Sequence, residues 1–525
     1  MKMKPNFLLS FLLLCFVSLC NAQIQQLDVR HYKIDLSVND LSDTIEVIET
    51  ISFSHLDRNK PIVFNLKSVN ADGNGMTVSS VSLKEEKLPF SHENDSLYVI
   101  VNAPSDDHYY ELNIAFKGVP IDGLVIGKNK FGKRTFFGDN WPNRAQNWFA
   151  CNDHLSDKSS VEFIVHVPQQ YTVVANGTLT SVKKQRKIKT YHYFSMVPIP
   201  TKVMVVGIAE FSSEVSGIVD GIVVQSLTYP ENKKEAGKDL SLAPSILDFY
   251  ISYIAPYEFK KLDNVQSTTR FGGMENAGCI FYDENALNGT MNSENLIAHE
   301  IAHQWFGNSA TEKDWPHLWL SEGFATYLTN IYIEKTKGDL AFKAQLEKDR
   351  KKVVNFEKRY PNPVVDTDYK DLMDLLNPNS YQKGGWVLHM LRTEIGDVLF
   401  QKCIQTYYQK YSRSNANSKD FQNIVEEVCD RDFTIFFNQW LYRAGHPKLQ
   451  INSNIENRKL SLDIIQKEGV FSFPLKIAIK CTEGPVIERI VGITLETTRK
   501  DIITSYPITE IIIDPDVELL YESVK

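Results

Sequence analysis

Leu296-Ile297-Ala298-His299-Glu300-Ile301-Ala302-His303-Gln304-Trp305-Phe306 is an apolar stretch with helical spacing that carries two histidines four residues apart. On a helix, positions four apart share a face about one turn from each other. Both imidazoles therefore reach one ion while Glu300 projects beside it. At about 2% His and 6% Glu, chance alone yields such a pattern in roughly one 500-residue chain in a hundred, so a third ligand is needed to support it. Catalytic zinc usually takes three protein ligands and leaves a fourth position to water. Trp319-Leu320-Ser321-Glu322-Gly323-Phe324-Ala325-Thr326-Tyr327 reads as the next helix, with Glu322 in the first turn, where the helix dipole favours an acid. The eighteen residues between His303 and Glu322 accommodate a helix end, a loop with Asp314-Trp315-Pro316 and an antiparallel return. The expected metal ligands are thus His299, His303 and Glu322, holding one Zn2+ per chain.

The plain alternative is a pair of satisfied core histidines and an ordinary exposed helix start; Glu300 between the histidines favours the metal. His317 and His446 read as structural. A site of two histidines and a carboxylate lowers the pKa of a zinc-bound water towards about 7 and polarises a carbonyl oxygen. Glu300, next to that water, can take its proton and hand it to a leaving amine. Amide hydrolysis is the natural outcome.

Working outward, apolar and polar residues alternate from Tyr32 to about Val224, as in Ile45-Glu46-Val47-Ile48-Glu49-Thr50-Ile51, with turn signals such as Asn176-Gly177 between segments. An all-β domain is expected over residues 23–225. The run Lys183, Lys184, Arg186, Lys187, Lys189 reads as a solvated hairpin end rather than a binding patch. Near Asp239 the period shifts towards 3.6, with Leu242, Ile246, Phe249 and Tyr253 on one helical face. A mainly helical domain over residues 226–445 follows. Gly445-His446-Pro447 breaks it, and Leu460, Leu462, Ile464 and Leu475, Ile477, Ile479 restore strand character. Residues 446–525 should form a small β-sandwich. The fold class is multidomain α+β.

Lys2 and Lys4 precede an apolar run from Phe7 to Leu19 that ends in Cys20, Asn21 and Ala22, the pattern of an export signal over residues 1–22. The run is too short to span a bilayer, and no second one follows, so no transmembrane segment is expected in the mature chain. A periplasmic or secreted location is expected; a lipid anchor at Cys20 is disfavoured because Leu19 occupies the position of a small residue. Loss of this segment removes two lysines and no acid, taking the net charge from −8 to −10. No basic surplus remains to displace counterions from phosphates, which argues against nucleic acid as a partner. The five remaining cysteines are widely spaced and odd in number, which is not a disulfide framework.

These residues resemble the gluzincin metallopeptidases related to aminopeptidase N and to leukotriene hydrolase. His299 to His303 followed by Gln304-Trp305-Phe306-Gly307-Asn308, and then Trp319 to Tyr327, is similar to that family's zinc signature. Gly272-Gly273-Met274-Glu275-Asn276 is similar to its G-x-M-E-N exopeptidase motif, which implies that Glu275 binds the free α-amine of a peptide while backbone groups align the chain. Without the family, two adjacent glycines suggest only a turn or strand edge with close backbone approach, and an edge strand is where many proteases hold substrate. Tyr381-Gln382-Lys383-Gly384-Gly385 resembles the Y-x-K-G segment, which implies an oxyanion-stabilising role for Tyr381. From spacing alone Tyr381 reads as a buried tyrosine on an amphipathic helix.

The resemblance implies a saddle-like N-terminal β domain, a thermolysin-like catalytic domain and a small β-sandwich, in this order. A large C-terminal helical domain, present in many members, is not expected before Lys525; a more open cleft, or a dimer whose second subunit covers it, is expected instead. Members commonly carry Gln or Glu for the substrate amine in the N-terminal domain. Here Trp141 falls on that position and Asp139 is expected to replace the polar group. The implied activity is zinc-dependent removal of N-terminal amino acids from peptides. An endopeptidase on the same chemistry would ignore the amine, against which Glu275 speaks. A binding protein without activity would need a disabling feature that the sequence does not display.

Overall fold

The computed structural model describes residues 27–55, 61–101 and 109–525. The export segment at residues 1–22, with Cys20, lies outside them. No helix among the described residues is long and apolar enough to cross a membrane.

The alternating segment forms an eight-stranded sheet in which Leu27–Ser37 pairs antiparallel with Ile45–His55 and parallel with Lys158–Pro168. The inward side chains of these strands, including Val29, Ile34, Ile51 and Phe163, are fully buried, as a period of two on a half-covered sheet requires. A four-stranded sheet of Leu124–Lys128, Arg134–Gly138, Thr172–Ala175 and Val206–Ala209 follows, and a three-stranded one completes the segment. The lysine-rich run closes a hairpin between Thr178–Gln185 and Ile188–Pro200, with Lys183, Lys184, Arg186 and Lys187 exposed and Lys189 half-buried.

Asn176-Gly177 lies between segments as expected, and the strands on either side of it belong to different sheets. Gly177, at φ +80°, passes so close to the Phe194 carbonyl that a Cβ would stand 2.3 Å from its oxygen. The boundary at residue 225 falls inside the strand Ile222–Thr228, which pairs in parallel with Lys261–Ser267. The five-stranded sheet from Ser212 to Asp283 therefore belongs with the segment that follows it. Alternation reports a half-buried strand but not the sheet it joins.

In this sheet Ser212–Val219, Ile222–Thr228, Lys261–Ser267, Cys279–Asp283 and Gly273–Met274 lie in that order, so Gly273–Met274 is an edge. Helices Glu294–Ala302, Trp319–Lys337, Asp339–Glu357 and Gly384–Ile395 pack beyond it. Residues Trp319 through Ile333 are all buried, marking Trp319–Lys337 as the central helix. At the C-terminus, one sheet of Lys448–Glu456, Lys459–Lys467, Thr497–Ile503 and Glu522–Ser523 accompanies a second of Phe473–Cys481, Ile487–Ile493 and Ile508–Ile513. His389, buried on Gly384–Ile395, bridges Tyr327 Oη at 2.9 Å and the Val517 carbonyl at 2.9 Å, tying this segment to the central helix.

Asp157, 4% exposed, accepts from the Val29 amide at 3.1 Å, while its other oxygen has no partner. Burial pushes its carboxyl up to about 7. The folded chain thus holds this proton more tightly than the unfolded one, so the contribution to stability falls as pH rises from about 4 and levels off above about 7. Each tenfold change in proton affinity is worth about 1.4 kcal/mol, giving a deficit of up to about 4 kcal/mol at pH 8. Asp157→Asn should be more stable than the parent at pH 8 and lose that advantage at pH 4, read by urea melts at both.

Candidate metal centre and substrate cleft

His299 and His303 occupy the last turn of Glu294–Ala302 and its C-cap, and Glu322 the first turn of Trp319–Lys337. The glycines at the crossings let these helices meet. Gly307, at φ +121°, follows the first helix so closely to the second that a Cβ would stand 2.4 Å from Ser321 Oγ. A Cβ on Gly323 would stand 2.9 Å from the Gly384 backbone. Glu322 is thereby brought against the segment Asn379–Lys383, which carries Tyr381 in a single π-helical turn, a distortion frequent at functional sites.

His299 Nε2 and His303 Nε2 lie 3.1 Å apart, and Glu322 Oε2 lies 3.3 and 3.2 Å from them. The corners of such a triangle stand about 1.9 Å from its centre, just inside the roughly 2.0–2.1 Å that zinc takes to nitrogen and carboxylate oxygen. Among the described residues this is the one His/Cys/Asp/Glu group whose ligand atoms all fall within 4.8 Å of one another. His303 Nδ1 lies 3.0 Å from the Phe306 carbonyl and 3.1 Å from Ser321 Oγ. Donation from Nδ1 to that carbonyl fixes the tautomer that leaves the Nε2 lone pair free for a metal.

The electrostatics agree with the geometry. Burial alone would lower His303, yet the Glu322 carboxylate, with Glu275 and Glu300, pushes it up to about 10. The same proximity holds Glu322 below the usual carboxylate range despite its burial. The potential at His303 favours positive charge, as a divalent cation supplies, whereas burial outweighs the Glu322 carboxylate at His299 and lowers it. Glu300, 5% exposed, is driven the other way, well above the usual carboxylate range, by burial and then by the Glu275 and Glu322 charges.

A cavity of ≈ 380 Å³ opens on this centre and is lined by Gly272, Gly273, Met274 and Glu275 as well as the ligands, Glu300 and Tyr381. The Tyr381 ring stacks on His299 at 6.0 Å, with 13° between planes. Burial and then the acidic neighbours raise its phenol well above the ordinary value, so it stays a donor. Glu275 is 4% exposed, and its Oε1 is buried without a hydrogen-bond partner. Asn276 is buried behind this wall.

The loop is held by residues to which sequence reasoning gave no role. Gln304 Nε2 and Asn308 Nδ2 both donate to the Glu275 carbonyl, at 2.8 and 2.6 Å, and the Gly278 amide donates to Gln304 Oε1 at 2.8 Å. Asn176 Nδ2, from the N-terminal segment, donates to the Ala277 carbonyl at 2.9 Å. Lys383 is fully buried and donates to Glu357 Oε1 at 2.6 Å and to the Gly445 carbonyl at 2.8 Å, pinning the turn that bears Tyr381. The available signal was polar residues inside apolar runs, which burial requires to be partnered.

Asp139 is not brought to the cleft. It is 1% exposed and ion-paired with Arg144, with Arg270 Nε at 3.5 Å, and it is absent from the cavity lining. The two guanidiniums occupy its carboxylate, which corrects the amine-sharing role expected of it. Trp141 lines the cavity instead, its ring edge-on to Phe271 at 6.2 Å and to Trp315 at 5.8 Å.

Comparison with known proteins returns the family described as Peptidase family M1 domain over residues 239–440 and Peptidase M1 N-terminal domain over residues 29–203. The chain is similar to a leucyl aminopeptidase of Saccharolobus solfataricus, 24% identical over 420 residues, covering 76% of this chain and 52% of that protein. A probable aminopeptidase 2 of Sulfurisphaera tokodaii is 27% identical over 432 residues, 78% of this chain and 54% of its own length. A glutamyl aminopeptidase of Homo sapiens is 26% identical over 443 residues, 76% of this chain and 46% of its own length. The chain thus spans about half the length of the curated relatives it matches.

Proposed function

Because the chain belongs to peptidase family M1, we propose that it is a zinc-dependent aminopeptidase that removes N-terminal amino acids from peptides with a free amine. The observation that carries this reading is Glu275 Oε1, a buried acceptor without a partner on the cavity wall beside the His-His-Glu cluster. Leaving such an acceptor unsatisfied costs about 1–3 kcal/mol, which a substrate ammonium would offset with a charge-assisted bond. An endopeptidase substrate presents no charge there.

His299, His303 and Glu322 would hold one Zn2+ per chain, whose Lewis acidity activates a water and polarises the scissile carbonyl. Glu300 takes the proton of the attacking water and delivers it to the leaving amine. The protonated Tyr381 phenol donates to the oxygen on which negative charge develops, a role whose loss costs about a hundredfold or more in related chemistries. The edge strand Gly273–Met274 offers backbone groups to an extended peptide. Glu275 fixes the amine, so the bond cut lies one residue in. Residues 1–22 act in this proposal as an export leader, which places the enzyme in a periplasm or outside the cell.

The test uses the purified mature chain loaded with zinc and a panel of fluorogenic aminoacyl amides, each with a free and an acetylated amine. Release is expected from the free-amine substrates only, and removal of zinc by chelation should abolish it. Equal cleavage of the acetylated forms would remove Glu275 as amine anchor and favour the endopeptidase.

A further inference from the structure

The cavity wall carries charge of nearly one sign. Glu275, Glu300, Glu322 and Asp349 line it, and Lys352 is the single lysine or arginine beside them. Asp349 is spent within the protein: Gln345 Nε2 donates to its Oδ1 at 3.1 Å and Asn330 Nδ2 to its Oδ2 at 3.0 Å. Lys352 is exposed. Its neighbours Lys343 and Arg350 pair with Asp516 and Asp514, whereas Lys352 forms no ion pair among the described residues and acts on the Asp349 carboxylate only through its charge.

Its position follows from the helices. Trp319–Lys337 and Asp339–Glu357 are joined by Gly338 alone and return antiparallel, with the Asn330–Asp349 bond setting their register. Three residues beyond Asp349, Lys352 falls level with Tyr327, one residue from Thr326, which also lines the cavity. Thr326 lies four residues past the ligand Glu322, about 6 Å along the axis at 1.5 Å per residue. An extended peptide advances about 3.3 Å per residue. A carboxylate one or two residues beyond the cleaved bond therefore comes within reach of a lysine side chain at this level.

We propose that Lys352 binds the C-terminal carboxylate of short substrates, so that the enzyme selects di- and tripeptides in their zwitterionic form, amine on Glu275 and carboxylate on Lys352. The proposal rests on the aminopeptidase reading for the placement of the amine. It adds a length and terminus preference that this reading does not contain. A charge-assisted contact of this kind is worth about a tenfold change in affinity.

Steady-state hydrolysis of Leu-Gly-Gly and of its C-terminal amide by the zinc enzyme and by Lys352→Met and Lys352→Arg tests it. In the parent enzyme, amidation should raise KM about tenfold with little change in kcat. The ratio should fall towards one in Lys352→Met and return in Lys352→Arg. A ratio near one in the parent, or an unchanged ratio in Lys352→Met, overturns the proposal. If the parent cleaves neither peptide nor any free-amine reporter, the aminopeptidase reading fails separately, and calorimetric binding decides for Lys352. Preference for the free acid that disappears in Lys352→Met supports it; equal affinities for acid and amide overturn it.

Discussion

Glu300→Gln is expected to lower turnover of a free-amine substrate by about a thousandfold while leaving zinc content and the melting profile unchanged. Glu300 is buried on the cavity wall next to both histidine ligands, yet it is not part of the three-atom cluster. Glutamine fills the same volume and keeps the contact with Gly273, but it cannot accept the proton of the attacking water. Positioned proton transfer is typically worth 10²–10⁴-fold, and about a thousandfold lies in the middle of that range. Elemental analysis separates the roles: Glu322→Gln should lose zinc together with activity, whereas Glu300→Gln should lose activity alone. Depleted zinc in Glu300→Gln would show that this carboxylate supports the metal rather than moving the proton.

The second large effect concerns a residue without a side chain. A Cβ on Gly273 would stand 2.5 Å from Glu300 Oε1 and 2.6 Å from its Cδ and Cγ, whereas one on Gly272 would meet nothing closer than Leu296 Cδ1 at 3.8 Å. Gly273→Ala should therefore displace the base and cut kcat about a hundredfold, with overpacking costing about 1–3 kcal/mol of stability. Gly272→Ala should stay within a fewfold of the parent in kcat and melt alike. The pair of variants differs by one position in a doublet that looks symmetrical in sequence. Equal effects in both would mean that Glu300 yields easily and that the close approach carries no constraint.

That doublet also shows how far the sequence could be read. Two adjacent glycines announced a close approach, but nothing in them said which one or to what, because the partner comes from a helix some twenty-five residues on. His299, His303 and Glu322 were legible for the opposite reason: helical spacing brings two of them together locally, and one reversal of the chain supplies the third. Lys383, Gln304 and Asn308 looked like polar interruptions, since their partners Glu357, the Gly445 carbonyl and the Glu275 carbonyl are set by packing. Asp139 misled because a carboxylate near the expected position says nothing about the arginines waiting for it; Arg144 is only five residues away, and the ion pair is local.

The N-terminal β segment and the closing β-strands were legible from alternation, and the helices from the change of period. The parallel pairing of Ile222–Thr228 with Lys261–Ser267 was not. It is made across a connection that contains the helices Lys233–Leu240 and Ala243–Tyr253, and alternation carries no information on such a crossover. The sheet as a whole therefore had to be seen rather than read.

That sheet also decides where the chain can be divided. A chimera joined within Ile222–Thr228 would split an interior strand, strip Lys261–Ser267 of one neighbour and leave a raw edge open to other chains. A graft that exchanges the front of this protein for that of a relative must join before Ser212. The modular unit, as recombination would have to treat it, begins with a hairpin that alternation alone assigns to its neighbour.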